Sequence, residues 1–207
     1  MNCKKILQIL GVLSVLIMSP ALGENIDPYE EGSRYAYGEN VGWLNFKPNQ
    51  GDGAHVSSTN VQGFVWAENI GWVNLSPAGY GGVVNDGAGN LSGYAWGENV
   101  GWINFNPTVS GDLNHYGVTI DAEGNFAGWA WGENIGWINF NSAQLFDKGV
   151  RACIVAFDDL ANFVDDWLSA DPTSPANLIS PDGVDGRDYA AFASRWRDFC
   201  PDGWQLK

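Results

Sequence analysis

The sequence predicts a mainly β protein, in which a four-unit antiparallel β-meander repeat domain is followed by a small two-helix module. Three observations predict this architecture. Four aromatic segments of the 207-residue chain align with one another without gaps. Within each segment the side chains alternate with the period of a β-strand. Beyond residue 148 the apolar residues recur instead at the spacing of amphipathic helices.

The first 23 residues have the pattern of a secretory signal peptide. Lys4 and Lys5 precede an apolar run at residues 6–18, and small residues follow up to Gly23. The apolar run is too short to remain as a membrane anchor. The alternative, an N-terminal core helix, would leave both lysines without a role. We therefore predict cleavage after Gly23, secretion to the extracellular space or the bacterial cell surface, and no membrane insertion after cleavage.

The charge of the chain limits its partners. The net charge is −14 at pH 7, and it becomes −16 when the two lysines of the leader are removed. In the predicted repeat domain, residues 24–147, the only cations are Arg34 and Lys47. Because there is no basic patch to neutralise phosphates, we expect neither nucleic acid nor anionic membrane as a partner. Neutral sugars, cations and other proteins remain.

The repeat cores are residues 35–48 (YAYGENVGWLNFKP), 64–77 (FVWAENIGWVNLSP), 94–107 (YAWGENVGWINFNP) and 129–142 (WAWGENIGWINFNS). Aromatic and β-branched residues flank a central Glu-Asn pair, which predicts a strand, a tight turn and a second strand. We predict a type I turn in which Asn99 and its equivalents are left-handed, because Asn tolerates positive φ. Ala67 replaces the glycine of the other copies, so that position needs no positive φ.

An additional strand is predicted ahead of the later units. Residues 83–84 and 118–120 lead into turns at residues 86–90 and 121–125, where Asp begins the turn and Gly supplies the left-handed residue. Each full unit is then a three-stranded meander, and the first unit lacks its opening strand. Both faces of a unit are largely apolar, so the units must pack on one another. The sequence leaves an open stack and a closed ring as alternatives.

The repeat motif resembles the tryptophan-rich GYAW-x-x-N-x-GWI repeats of secreted bacterial proteins. The resemblance covers about residues 33–142. It implies no particular activity, so candidate functional residues are taken from the pattern itself.

One tryptophan recurs at an equivalent position of every repeat: Trp43, Trp72, Trp102 and Trp137. Flat aromatic faces can stack on sugar rings, which makes these tryptophans the candidate ligand platform. An asparagine two residues later offers amide donors and acceptors: Asn45, Asn74, Asn104 and Asn139. The favoured alternative is that most of the tryptophans form the core between repeats, because large aromatic residues dominate cores.

The turn carboxylates invite a glycosidase hypothesis, because paired carboxylates can cleave sugars. They are Glu39, Glu68, Glu98 and Glu133. An active site does not need four equivalent acids, so solvation of the turns is the favoured interpretation. His55 and His115 lie in dissimilar contexts without a recognisable nucleophile. We therefore predict that the protein is not an enzyme.

The C-terminal region carries a duplicated amphipathic helix. The first apolar stripe consists of Leu160, Phe163, Val164, Trp167 and Leu168. Tyr189, Phe192, Ala193 and Trp196 repeat it after 29 residues, and the two stripes are expected to pack together. Cys153 and Cys200 are the cysteines that remain after the leader is removed, and they predict one disulfide.

Residues 157–168 (FDDLANFVDDWL) and 182–196 (DGVDGRDYAAFASRW) resemble a dockerin-type module, over roughly residues 148–200. The resemblance implies two loop–helix units like halves of EF-hands that bind calcium. It also implies docking onto a cohesin-like partner, and a role in tethering proteins that bind or degrade polysaccharides.

The loops depart from the calcium-binding pattern that this resemblance implies. With Asp159 as the last ligand, the earlier ligand positions of the first loop fall on Ala156, Ala152, Val150 and Lys148, so this loop has lost its metal. The candidate ligands of the second loop are Asn177, Asp182, Asp185 and Asp188. This set is thin for a cation that takes about six or more oxygens, so at most one weakly bound Ca2+ is expected. The alternative is that Asp185 caps the second helix, with Asp188 in its first turn.

These features predict a secreted, non-catalytic binding or scaffold protein. Its repeats bind polysaccharide or form a surface structure, and its tail, residues 148–207, attaches it to a cohesin-like or cell-envelope protein. The alternative is an accessory component of extracellular polysaccharide degradation with glycoside hydrolase activity.

Overall fold

The computed structural model describes residues 24–79, 81–141, 148–179, 182–201 and 204–206, so the predicted signal peptide at residues 1–23 lies outside it. The described chain is mainly β, which confirms the predicted class. Its strands are β1 Tyr35–Gly38, β2 Gly42–Asn45, β3 His55–Val56, β4 Asn60–Gln62, β5 Phe64–Ala67, β6 Gly71–Asn74, β7 Val83–Asn85, β8 Leu91–Gly97, β9 Gly101–Asn104, β10 Thr119–Ile120, β11 Phe126–Ala127, β12 Trp129–Gly132 and β13 Gly136–Asn139. Its helices are α1 Phe157–Asp165 and α2 Gly186–Ser194.

Four repeat hairpins close into an eight-stranded antiparallel barrel. The hairpins are β1–β2, β5–β6, β8–β9 and β12–β13. Neighbouring hairpins pair in chain order, and β13 returns to pair with β1. Of the two arrangements that the sequence left open, the structure has the closed ring. Closure leaves no free edge in the barrel.

All four junctions between hairpins have the same register. At the first junction Leu44 lies opposite Ala67, and Asn45 lies opposite Trp66. The equivalent pairs are Val73 with Gly97 and Asn74 with Trp96, Ile103 with Gly132 and Asn104 with Trp131, and Ile138 with Gly38 and Asn139 with Tyr37. Because register decides which side chains face inward, the same face of every hairpin is buried.

Small and aliphatic side chains fill the barrel. The outgoing strands contribute the fully buried alanines Ala36, Ala67, Ala95 and Ala130. The returning strands contribute Leu44, Val73, Ile103 and Ile138, which are at most 3% exposed. At the end opposite the turns, the buried rings of Phe46, Phe105 and Phe126 lie 5.6–6.3 Å from that of Phe140 or from each other. An eight-stranded barrel has room inside only for packed side chains, so the bulky face of each hairpin lies outside.

The hairpin turns differ from the prediction in the residue that is left-handed. Gly101 has φ of 81°, whereas Asn99 does not have a positive φ. The equivalent glycines Gly42, Gly71 and Gly136 have φ of 76°, 79° and 77°. Glycine adopts this conformation without the steric cost that a side chain brings, so the prediction of a left-handed Asn was wrong.

The turn asparagines instead link neighbouring hairpins. The Nδ2 group of Asn69 donates to the carbonyl oxygen of Val41 at 3.1 Å. The equivalent bonds run from Asn99 to Ile70, from Asn134 to Val100 and from Asn40 to Ile135, each 3.0 Å long. The last bond joins the first hairpin to the fourth. The four asparagines therefore form a closed ring of hydrogen bonds at the turn end of the barrel.

Short strands extend the units beyond the barrel. β3 pairs with β4, β7 with the first part of β8, and β10 with β11. The predicted opening strands are therefore present, although the units share one barrel and are not separate meanders. The first unit receives its opening strand from the chain that follows the fourth unit. Val150 bridges Arg34, and the carbonyl oxygen of Gly149 accepts from the N–H of Tyr35 at 2.8 Å.

Each opening strand passes very close to the strand that it pairs with. Gly63, Gly93 and Gly128 have φ between 83° and 88° at this point. A Cβ atom on any of them would lie 2.0–2.2 Å from a carbonyl oxygen of the opening strand. Only glycine fits at these three positions. The first unit has Arg34 at the equivalent position, where the opening strand comes from residues 149–152.

The two helices belong to a duplicated structure. Phe163 of α1 stacks on Phe192 of α2 with ring centroids 5.2 Å apart. The backbone repeats as well. The N–H of Val155 donates to the carbonyl oxygen of Asp198 at 2.9 Å, and the N–H of Val184 donates to the carbonyl oxygen of Ser169 at 2.8 Å. The two donors are 29 residues apart in the sequence, and so are the two acceptors. The described helices include none long and apolar enough to cross a bilayer.

The predicted disulfide between Cys153 and Cys200 is present, with a Cα–Cα distance of 5.3 Å. Cys153 directly follows the strand that completes the first unit, and its N–H donates to the carbonyl oxygen of Asn25 at 2.7 Å. The neighbouring Phe199 bridges Ile154 and packs against the core of the barrel. The disulfide therefore closes the helical module at the point where it meets the barrel.

Candidate functional site

Every hairpin carries three aromatic rings on the outer face of the barrel. Two rings come from the outgoing strand, and the repeat tryptophan comes from the returning strand. We call these groups aromatic clusters one to four: Tyr35, Tyr37 and Trp43; Phe64, Trp66 and Trp72; Tyr94, Trp96 and Trp102; Trp129, Trp131 and Trp137. Strand alternation places them outside because the intervening residues fill the barrel.

The rings of a cluster pack edge to face. In cluster two, the ring of Trp72 lies 4.9 Å from that of Trp66 and 6.3 Å from that of Phe64, with interplanar angles of 62° and 84°. In cluster three the centroid distances from Trp102 are 4.7 and 6.3 Å. Such T-shaped contacts are favoured by the quadrupoles of the rings. They hold each repeat tryptophan in a fixed orientation between its two neighbours.

The repeat tryptophans are surface residues. Trp43, Trp72 and Trp102 are 37%, 37% and 39% exposed, and Trp137 is half-buried. The interpretation that most of them form the core between repeats was therefore wrong, because alanine and aliphatic residues take that place. Sequence reasoning also missed Phe64 and Tyr94, which are 39% and 45% exposed. Alternation places them on the same face as Trp66 and Trp96, but it does not show which face is outside.

Clusters two and three adjoin. The pairing of β6 with β8 places Asn74 of one hairpin directly opposite Trp96 of the next. The two repeat tryptophans lie two strands apart, which corresponds to about 10 Å along a sheet. Clusters one and four continue around the closed barrel. The four clusters therefore surround the molecule, and they do not form one flat face.

The candidate asparagines have a structural task at the ends of the strands. The Oδ1 atom of Asn74 accepts the N–H of Ser76 at 2.9 Å, which is an Asx-turn. The same bond occurs at Asn45, Asn104 and Asn139, at 2.8–3.0 Å. The amide nitrogen of these side chains is not needed for the turn.

Residues next to the opening strands cover two of the clusters. The Nζ atom of Lys148 lies 5.5 Å from the ring centroids of both Tyr35 and Trp43 in cluster one. In cluster four the ring of Tyr116 lies 5.4 Å from that of Trp137. The loop beside Trp72 of cluster two contributes Gly51, which has no side chain, and a Cβ atom there would lie 3.5 Å from the indole. The four clusters are equivalent in fold but differ in accessibility.

The turn glutamates Glu39, Glu68, Glu98 and Glu133 are exposed at the turn end of the barrel. Exposed positions agree with the interpretation that they solvate the turns. The hydrolase alternative remains a hypothesis for an activity assay. His55 lies half-buried in β3 and His115 is exposed in a loop.

The candidate calcium ligands bind protein groups. Asp188 is fully buried, and its carboxylate accepts the N–H groups of Leu178, Ile179 and Asp185 at 2.7–3.0 Å. Asp185 is the N-cap of α2 and accepts the N–H of Arg187 at 2.7 Å. In the described parts of the chain, no group of three or more His, Cys, Asp or Glu residues is arranged to hold a metal ion.

Arg187 occupies carboxylate oxygens that a calcium ion would need. Its guanidinium lies 2.9 Å from Asp185 and 3.5 Å from Asp182. Hydrogen bonds from its side chain, and then from its backbone N–H, lower the pKa of Asp185. The Nδ2 group of Asn177 donates to the carbonyl oxygen of Pro172 at 3.3 Å. The residues present therefore fit calcium poorly, and calcium binding remains a prediction.

The first loop uses the equivalent carboxylate in a similar way. Asp159 is 1% exposed, and it accepts the N–H of Ala156 at 2.9 Å and the indole N–H of Trp204 at 2.6 Å. Burial raises the pKa of Asp159 in spite of these bonds. Val150 and Ala152, which align with earlier ligand positions of this loop, are buried against the barrel.

Comparisons with known proteins give no match to this chain. No protein-family model matches it. Neither a curated protein nor a solved structure matches it. The aromatic clusters and the helical module are therefore the features from which a function is inferred.

Proposed function

We propose that this protein is a secreted, non-catalytic glycan-binding protein that attaches through its helical module to a cohesin-like or cell-envelope partner. The observation that carries the proposal is the position of the repeat tryptophans, which are more than one-third exposed in clusters one to three. Tryptophans that face outward from a barrel with a complete core are not needed to fill it.

The chemistry of the clusters supports a sugar ligand. Each cluster offers a rigid apolar ring face on which a sugar ring can stack, and amide groups lie on the adjoining strand. Clusters two and three together form a contiguous exposed aromatic patch, and patches of this kind mark interaction sites. The strongly acidic chain disfavours acidic polysaccharides, so a neutral or basic glycan is the expected ligand.

The arrangement of the clusters supports multivalent binding. A straight glycan chain can contact the adjoining clusters two and three, but clusters on opposite sides of the barrel face in different directions. The protein is therefore suited to contact more than one chain at a time. Retention on an insoluble polysaccharide then exceeds the affinity of a single cluster through effective concentration.

The test is a glycan array followed by pull-down on the polysaccharides that bind. The variants Trp72→Ala and Trp102→Ala each remove one repeat tryptophan and are expected to weaken retention about tenfold. Trp167→Ala is the matched control, because Trp167 is 43% exposed but lies in the helical module. Equal loss in the control, or no retention of the wild type, contradicts the proposal. Release of reducing sugar from the glycan supports the hydrolase alternative.

The attachment proposal depends on the surface of the helical module. Val164, Leu168 and Tyr189 are 59%, 69% and 51% exposed, which is unusual for apolar residues of so small a unit. A groove of about 330 Å3 lies beside them, lined by Leu160, Tyr189, Phe192, Ala193 and Trp196. A panel of cohesin domains in a pull-down tests the proposal. Val164→Asp is expected to abolish capture, whereas Ile179→Asp, in a loop outside the helices, is expected to retain it.

We also propose that the second loop binds one calcium ion. The binding is weak because Arg187 occupies two of the loop carboxylates. Calcium titration followed by thermal unfolding measures this directly. Arg187→Ala releases Asp182 and Asp185 and is expected to increase the stabilisation by calcium. An unfolding temperature that does not respond to calcium in either protein removes the metal from the proposal.

A further inference from the structure

Cluster one contains a bound cation that the protein itself supplies. The ammonium group of Lys148 lies 5.5 Å from the centroids of Tyr35 and Trp43, within the range of a cation–π contact with each ring. Those two rings are 6.0 Å apart and inclined by 72°. We call the space between the first outgoing ring and the repeat tryptophan the aromatic notch. In cluster one the notch holds an ammonium group.

Cluster two has the same notch with a different loop in front of it. Phe64 and Trp72 are 6.3 Å apart and inclined by 84°, close to the values of cluster one. Both rings are exposed, at 39% and 37%. Lys148 precedes the opening-strand glycine Gly149, and the residue that precedes the equivalent glycine, Gly53, is Asp52. Cluster two therefore has an anionic residue at the chain position that aligns with Lys148 of cluster one.

The backbone of Asp52 lies next to the first ring of cluster two. The carbonyl oxygen of Asp52 accepts the N–H of Phe64 at 3.1 Å, and the Asp52 side chain is exposed. The preceding residue is Gly51, which adds no side chain next to the indole of Trp72. A negative net charge of −14 increases the local concentration of cations around the whole molecule.

We propose that the aromatic notch of cluster two, formed by Phe64 and Trp72 with Asp52 beside it, binds an alkylammonium group from outside the protein. The ligand class is an organic cation, either the protonated amine of an amino sugar or a quaternary ammonium headgroup. Lys148 shows the position that such a group takes in the notch of cluster one. The inference goes beyond glycan binding, because it concerns the charge of the ligand and requires no sugar.

Choline is the first probe, and 3,3-dimethyl-1-butanol is its uncharged counterpart of similar shape. Titration of the mature protein, followed by tryptophan fluorescence and calorimetry, is expected to show saturable binding of choline. The uncharged alcohol is expected to bind about tenfold more weakly, because it lacks the cation–π contribution. Equal binding of the two compounds, or no saturable binding of choline, overturns the proposal.

A reciprocal charge exchange tests the location of the site. Asp52→Lys places a cation in front of cluster two and is expected to remove the choline site there. Lys148→Asp withdraws the internal cation from cluster one and is expected to raise the choline stoichiometry by one. Arg195→Glu replaces an exposed cation of the helical module and changes the net charge by as much as Lys148→Asp does. It is the control for net charge and is expected to leave the choline stoichiometry unchanged. Unchanged stoichiometry in both exchange variants overturns the assignment, even if choline binds elsewhere.

Two further ligands separate the sources of the ammonium group. Glucosamine oligomers and their N-acetylated forms share a sugar backbone but differ in charge. If an amino sugar is the source, the free amines bind more tightly than the acetylated oligomers, and Asp52→Lys removes the difference. If only choline binds, the source is a quaternary ammonium headgroup. If neutral glycans bind equally well to the wild type and to Asp52→Lys, the proposed glycan function stands even when the organic-cation proposal fails.

Discussion

The barrel and the helical module solve the same problem, the stability of a small unit, in different ways. The barrel repeats one junction four times, and the ring of asparagine bonds returns from the fourth hairpin to the first. The helical module repeats its unit only twice, and its buried core is small. It is closed by a disulfide that spans 47 residues of sequence.

Repetition stabilises a protein most effectively when the repeats close on themselves. Every barrel strand has two neighbours, so each unit buries its inner face without a special partner. Two loop–helix units share only a small core of their own, and modules of that size commonly need a covalent or metal link. The first unit of the barrel still needs a strand from residues 149–152, next to Cys153. The strand that completes the barrel unit and the disulfide that closes the helical module are therefore adjacent in the chain.

The largest expected effect is the loss of a ring from the barrel core. Phe140 is 1% exposed and packs against Phe46, Phe105 and Phe126. Phe140→Ala is expected to lower the free energy of unfolding by about 3–5 kcal/mol, because it leaves a cavity. Phe157→Ala, at a ring that is 71% exposed, is expected to cost less than about 1 kcal/mol. Chemical denaturation measures both, and similar losses would contradict the assignment of the core.

Removal of the disulfide tests whether the two regions are stabilised separately. The double variant Cys153→Ala and Cys200→Ala is expected to destabilise the helical module by roughly 4 kcal/mol, the loop-closure contribution. The barrel is expected to keep its own unfolding transition, because its eight strands pair without this bond. Unfolding followed by near-ultraviolet circular dichroism and by limited proteolysis separates the transitions. A single transition shifted by the full amount would show that the regions are one cooperative unit.

A smaller effect is expected where the opening strand approaches the barrel. Gly128→Ala combines positive φ with a Cβ atom 2.2 Å from the carbonyl oxygen of Gly117, and is expected to cost about 2 kcal/mol or more. Gly79→Ala is the matched control, because Gly79 has φ of 89° but nothing lies within 4 Å of its Cβ position. It is expected to cost only about 1 kcal/mol. Equal thermal shifts would mean that the close approach contributes nothing.

The smallest expected effects compare the two helix starts. α2 is capped by Asp185, whereas the equivalent Ala156 of α1 has no side-chain cap bond. Asp185→Ala is expected to lower the stability of the helical module, and Ala156→Ser to raise it by about 0.5–1 kcal/mol. Because hydrogen bonds from Arg187 lower the pKa of Asp185, its contribution is present above the ordinary carboxylate pKa and is lost as the pH falls through the lowered value. The Asp185→Ala difference in unfolding free energy is therefore expected to shrink in acid.

Much of the fold was predictable because repeated patterns report local structure. The hairpins around Glu-Asn, the duplicated helices, the missing opening strand and the disulfide all follow from spacing and residue type. Ala67 also indicated, correctly, that its position needs no positive φ. These features depend on residues that are close in sequence or chemically distinctive.

The closed barrel and the outward tryptophans were not predictable, because they depend on which of two apolar faces is buried. Alternation separates the face of Tyr94 from the face of Ala95, but it does not show which of the two faces is buried. An eight-stranded barrel accommodates only the smaller side chains inside, which reverses the usual expectation for tryptophan. One signal was available for the closing strand. Gly149-Val150 repeats the dipeptides Gly82-Val83 and Gly117-Val118 that begin other units.

The segment at residues 149–152 has a consequence for how the chain acquires its shape. A ribosome makes this segment only after all four hairpins, so the first hairpin is synthesised long before its opening strand. A ring in which the last hairpin pairs with the first also has a fixed number of units. Gain or loss of one unit during evolution would break the circle, whereas a linear solenoid can lengthen by one repeat at a time.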